Sequence, residues 1–186
     1  MRSLFVFTLL LSSFLASAQI KEGAKVVDFS MSNSNANGSS FFFIQPLIGF
    51  GTAENELVYV GIGYTRQKSD FSGNTENFTS LIIGYEKFIE LNSKVYFSPF
   101  ISGSYGIGKS ENGTTSDDLN SFSLALRPRL HYFMNSKWSV VASVGAIQYT
   151  RQVAKNAFGE STSDFFSMNL NSSNVFFGIR LNLNNE

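Results

Sequence analysis

Few side chains in this sequence are suited to acid–base or nucleophilic work. There is one histidine, His131, and no cysteine, which excludes thiolate chemistry and leaves a zinc site almost without its usual ligands. His131 is the one side chain whose ordinary titration falls near neutral pH. Serines are plentiful, yet no G-x-S-x-G turn presents one as a nucleophile. More informative are charged groups set among apolar stretches: Asp28, Glu86, Arg127, Arg129, His131 and Arg180. Away from water each such charge must meet an opposite one, because an unpaired buried charge is costly. They read as a cluster of ion pairs. No catalytic, cofactor-binding or metal-binding residue is assigned.

Other motifs carry less. Gly61-Ile62-Gly63 and the stretch from Gly103 to Gly108 resemble phosphate loops in composition but have no helix following them, so close packing explains them better. Asp117-Asp118 with Glu111 nearby lacks the EF-hand spacing and reads as a solvated loop. Asn37-Gly38-Ser39, Asn77-Phe78-Thr79 and Asn112-Gly113-Thr114 match the glycosylation pattern only.

The elements that must hold these residues are strands. Past Ile20 the apolar pattern has a period of two, at which successive side chains face opposite sides of a sheet. Eight strands are expected, at about 24–32, 40–50, 56–66, 77–90, 94–108, 120–133, 137–150 and 164–184. In the sixth, Phe122, Leu124, Leu126, Pro128, Leu130 and Tyr132 share one face, and Ser123, Ala125, Arg127, Arg129 and His131 the other. In the eighth, Phe177, Ile179, Leu181 and Leu183 oppose Gly178, Arg180 and Asn182. Ser98, Ser102, Ser104 and Gly106 form the polar face of the fifth. The second strand is less clean, since Phe41, Phe43 and Leu47 fall on its inner face and imply a partly packed interior.

Length and composition agree with one unit. The chain has 186 residues, only 15% of them charged, with 20 Phe and 7 Tyr, a mixture that suits strands. Lys and Arg total 14 against 14 Asp and Glu, so the basic footprint of a nucleic-acid binder is missing. Residues 1–18 read as a cleaved signal peptide: Arg2 begins it, Leu4 to Leu15 form its apolar stretch, and Ala16-Ser17-Ala18 its cleavage site. Residues 19–186 would then form one domain starting at Gln19. Connections alternate between tight ones near 51–55, 91–93 and 134–136 and longer polar ones near 33–39, 67–76, 109–119 and 151–163. Long strands, short turns at one end and long loops at the other predict an all-β, eight-stranded antiparallel up-and-down transmembrane β-barrel. Phe50, Tyr64, Tyr132 and Trp138 lie where interfacial aromatics belong.

Particular stretches carry a resemblance. Gln45-Pro46-Leu47-Ile48-Gly49-Phe50, Val58-Tyr59-Val60-Gly61-Ile62-Gly63-Tyr64, Tyr96-Phe97-Ser98-Pro99-Phe100, Leu126-Arg127-Pro128 and Phe177-Gly178-Ile179-Arg180-Leu181 resemble the small outer-membrane β-barrel family of Gram-negative bacteria. The chain is similar to OmpX and to the transmembrane part of OmpA over nearly its whole mature length. The resemblance implies the outer membrane as location, its lipids and assembly machinery as partners, and outer loops that meet an unidentified ligand or partner. It departs from the family in continuing to Asn184-Asn185-Glu186, where many members end on an aromatic residue.

The expected function is a scaffold or interaction barrel without an open pore, since eight strands leave room for little beyond their own side chains. The alternatives are a narrow channel or a conduit for hydrophobic substrates and, third, a lipid-modifying enzyme of the outer membrane. That enzyme would need its histidine at the outer rim, whereas His131 lies about three residues from a turn expected on the periplasmic side. Asp28, Glu86, Arg129 and Arg180 all lie a few residues from that end, with Arg127 and His131 expected at the edges of the cluster.

Overall fold

The computed structural model describes residues 20–36, 38–69, 73–112, 115–156, 159–169 and 175–183. The expected signal peptide, Gln19 and the closing Asn184-Asn185-Glu186 lie outside the described residues. Among those described, every regular element is a strand. In chain order they are β1 (Lys25–Ala36), β2 (Ser39–Ala53), β3 (Glu56–Ser69), β4 (Thr75–Lys87), β5 (Ile89–Asn92), β6 (Val95–Asn112), β7 (Thr115–Phe133), β8 (Trp138–Val144), β9 (Ala146–Asn156), β10 (Gly159–Asn169) and β11 (Val175–Asn182).

All of them join one antiparallel sheet in the order β10-β9-β7-β8-β11-β1-β2-β3-β4-β6-β5, and a β6–β7 pairing links its two arms. The circuit β1-β2-β3-β4-β6-β7-β8-β11 therefore returns to β1, closed by Val26↔Asn182 through Met31↔Phe177. At the other end no closing pairing is seen among the described residues. There β10 pairs with β9 alone among the described residues, and the last part of β1 pairs with β2 alone.

Two expected strands are each broken in two, and the breaks have local causes. Phe88 leaves the ladder between β4 and β5 because its N–H donates instead to the carbonyl of Asn55, at 2.8 Å. Between β8 and β9 the register moves from Arg129↔Ser143 to Leu126↔Ile147, so two residues of β7 face three. One of the two is Pro128, which has no N–H to offer, and Gly145 absorbs the extra residue at φ 67°, a conformation a side chain would resist. The strand expected at 164–184 overlaps β10 and β11, and residues 170–174 between them lie outside the described residues.

The long loops are also corrected. Most of 33–39, 109–119 and 151–163 is strand, in the paired ends of β1 and β2, β6 and β7, and β9 and β10. Those ends are mostly polar, with only scattered apolar residues such as Leu119 and Val153, so no clear alternation marks them, yet the backbone goes on pairing. Asp117 and Asp118 accordingly lie in β7, with Asp118 opposite Lys109 on one side and Lys155 on the other. At the opposite end the turns are short. The Asn92 carboxamide oxygen accepts the N–H groups of Lys94 and Val95, each at 3.0 Å. Asn135 does the same for Lys137 and Trp138, at 2.9 Å. These are asparagine-centred turns.

The strand faces divide sharply. Inward-pointing Val26, Leu47, Leu57, Tyr59, Phe88, Tyr96, Phe100 and Phe133 are buried together toward the short-turn end. Outward-pointing side chains are large and apolar: Leu81, Ile83, Ile107 and Phe177 each stand 59–62% exposed, with Ile48, Val60, Ile62, Leu124 and Ile179 among their neighbours.

Candidate functional site

The interior holds two different environments. Near the short turns, antiparallel register brings the charged residues to one level. Asp28 on β1 lies directly opposite Arg180 on β11. Glu86 on β4 and Arg129 on β7 flank β6, opposite Phe100 and Ser98 respectively. One Arg180 Nη2 group donates to Asp28 Oδ2 at 2.8 Å and to Glu86 Oε2 at 2.7 Å, linking opposite walls. Arg129 Nη1 lies 3.4 Å from Asp28 Oδ2 and 3.6 Å from Glu86 Oε1. Glu86 is the hub. It also accepts from Tyr59 Oη at 2.5 Å and Ser98 Oγ at 2.7 Å, and contacts His131 Nε2 at 3.0 Å. Ser30 Oγ donates to Asp28 Oδ1 at 3.3 Å.

Two carboxylates thus face two guanidinium groups, and none of the four side chains is more than 4% exposed. Desolvating that many charges is tolerated only when each is both paired and hydrogen-bonded. Aromatic rings complete the enclosure. The Arg129 guanidinium lies 3.7 Å from the Phe100 ring centroid and that of Arg180 lies 5.0 Å from the Phe88 centroid. Phe88 also packs against His131, and Tyr96 against Phe133, at 4.9 and 5.1 Å between ring centroids. The Phe100 ring lies against Gly84, where an added Cβ would stand 2.6 Å from it; the missing side chain makes that room.

His131, Ser98 and Glu86 together look like a nucleophilic triad, but their geometry is wrong for one. Ser98 Oγ and Glu86 Oε1 both contact the same ring atom, Nε2, at 2.8 and 3.0 Å. A relay needs serine on one nitrogen and the carboxylate on the other. A carboxylate only accepts, so Nε2 carries the proton shared with Glu86. Ser98 is also fully buried, out of reach of a substrate.

Arg127 does not join this network. It sits two residues along β7 from Arg129 and points into a second environment, where its Nη1 donates to Ser102 Oγ at 3.3 Å and its guanidinium carbon lies 6.0 Å from the Phe176 ring centroid. Beyond it a cavity of about 260 Å³ rises between the walls, lined by Gln45, Thr65, Gln67, Glu76, Gln148 and Thr150 together with several serines. His131, placed at the edge of the cluster by the sequence, is instead inside it. Tyr59, Ser98, Phe88 and Phe100 were not singled out for the cluster from the sequence. Ser98 lay on the recognised polar face of its strand, and a bulky Tyr59 opposite Val58 and Val60 was the available sign for the third strand. Among the described residues no group of three or more histidine, aspartate or glutamate side chains is arranged to hold a metal ion.

No protein-family model matches the chain, and no curated protein is similar to it in sequence. Among solved structures the chain is similar to a major outer membrane protein from Thermus thermophilus, with a TM-score of 0.48 and 12% identity, over 86% of this chain and 98% of that one. The functional reading therefore rests on the geometry of the chain itself.

Proposed function

We propose that the chain is an up-and-down β-barrel of a bacterial outer membrane, exported by its first eighteen residues, that serves as a closed scaffold and presents its far-end hairpins to ligands or partners. In this reading β4 with β5, β8 with β9 and β10 with β11 each form one interrupted stave, giving eight. The observation that carries the closed scaffold is the charge network, whose fully buried Arg180 bridges Asp28 and Glu86 across the interior. The membrane setting is supported by the outward apolar belt, because water-facing Leu81, Ile83, Ile107 and Phe177 at 59–62% exposure would each forgo roughly 1.5–3 kcal/mol of burial. No helix of the described residues is long and apolar enough to cross a membrane, and strands can do so only in a closed ring. Outer-membrane lipids and the barrel-assembly machinery are the partners this reading requires. Catalysis is no part of it, since the histidine is sealed in and serine and carboxylate compete for one nitrogen.

Planar-bilayer recording tests the closed scaffold: the purified protein is expected to be electrically silent. Steady ion flow whose selectivity changes on Arg129→Ala would move the narrow-channel reading ahead. Fractionation tests the location, with recovery in the soluble periplasmic fraction as the contrary result. A second reading, a conduit for hydrophobic substrates, is favoured by one observation. β10 has a free edge among the described residues, and Phe165 on its inward face is 53% exposed, so an apolar molecule has a sideways approach to the interior.

A further inference from the structure

Every buried arginine of the lower network has a carboxylate, whereas Arg127 has none among the described residues. Two carboxylates there already balance two guanidinium groups, so Arg127 is left without a carboxylate at its own depth. It uses one Nη1 group, on Ser102 at 3.3 Å, out of the five N–H donors a guanidinium carries in a planar fork. The Phe176 ring lies beside it, itself held edge-on by Phe43 at 5.6 Å. The rest of the fork is at the floor of the 260 Å³ cavity. The walls above it mix the hydroxyls and carboxamides of Thr65, Ser123, Gln148 and Thr150 with the apolar side chains of Phe78 and Ile82. The carboxylate among the lining residues, Glu76, stands well away from the floor. Glu76 faces Ser110 on β6, while Arg127 faces Phe100, ten residues along the same strand.

We propose that this cup binds a small hydroxylated oxyanion, a sugar acid or sugar phosphate, with its anionic group on Arg127 and its hydroxyls on the wall. Guanidinium recognises a planar carboxylate or a phosphate with two parallel hydrogen bonds, and serine, threonine and glutamine side chains both donate to and accept from sugar hydroxyls. Glu76 at the far end repels a second anionic group and so favours ligands with a single charged end. The site goes beyond the scaffold reading and rests on it in one respect: the network below supplies the floor.

The test is titration calorimetry on the refolded full barrel in detergent, with glucuronate, glucose 6-phosphate and uncharged glucose as probes. At least one anionic probe is expected to bind saturably, glucose at least tenfold more weakly, and Arg127→Gln to weaken the anionic probe at least tenfold. Arg127→Lys keeps the charge without the fork and is expected to fall between the two. A shift in gel migration on boiling shows whether each variant is folded. If it is absent for the glutamine variant, the lysine variant decides alone, by weaker binding or by none lost. No binding by either anion, equal binding of glucose, or binding indifferent to position 127 overturns the site. A conducting wild type that still binds the anion would refute the closed scaffold and leave the site standing; a silent one that binds nothing would do the reverse.

Discussion

The two ends of the interior are built from the same strands and solve opposite problems. Toward the short turns, Asp28, Glu86, Arg129 and Arg180 are packed under Phe88, Phe100 and Tyr59, and charge is matched one to one. Toward the far end the same walls carry serine, threonine and glutamine with some apolar side chains around open space, and among the described residues Arg127 has no carboxylate within ion-pair reach. The difference teaches that depth sets the rule. Where water and space are excluded, a charge survives only with a partner; where a cavity adjoins it, an unmatched guanidinium is tolerable and becomes available to something else.

Breaking the matched end should have the largest effect. Glu86→Ala removes the hub that accepts from Tyr59, Ser98 and Arg180, and leaves buried positive charge behind. A loss of about 3–5 kcal/mol is expected, seen as a lower unfolding midpoint of the folded barrel in detergent. An unchanged midpoint would mean that the network is hydrated and the contrast between the ends false.

The next effect concerns inside against outside. Leu126→Arg places a charge on the outward face, which in the proposed membrane costs about 2–4 kcal/mol near mid-depth and should hinder assembly. Ser123→Arg points into the cavity beside Thr150, the Ser123 hydroxyl lying 2.9 Å from that of Thr150, and should fold with less loss. Equal damage from the two, measured as the fraction shifting on boiling, would reject the face assignment.

The smallest effect sharpens the comparison from the other end. Arg127→Met gives up one hydrogen bond and no ion pair, so the unfolding midpoint should move by no more than about 1 kcal/mol. A loss as large as that of Glu86→Ala would show that Arg127 belongs to the structural network after all.

Much of this was legible residue by residue. The outward set Phe122, Leu124, Leu126, Leu130 and Tyr132 and the inward set Ser123, Arg129 and His131 follow from a two-residue period, which belongs to each strand's own backbone and needs no partner. The tight turns at Asn92 and Asn135 are similarly local. The strand ends were not, because Asn33 to Ala36 or Ser116 to Asp118 look like loop by composition and are strand only because a neighbouring backbone pairs with them.

The sequence by itself determined which face of each strand a side chain occupies and that its inward charges needed partners. The sequence also placed Asp28, Glu86, Arg129 and Arg180 near one end, but which atom meets which was decided by ring closure and register. Asp28 and Arg180 are 152 residues apart and Glu86 and Arg180 are 94 apart, distances at which no periodicity carries information. A slip of one residue in any single pairing would turn a charge from the interior to the outside. The tertiary structure also took Arg127, expected at the edge of the cluster, out of it altogether, because the bulge at Gly145 and the space above Ser102 lie beside it and the packed carboxylates lie beside Arg129.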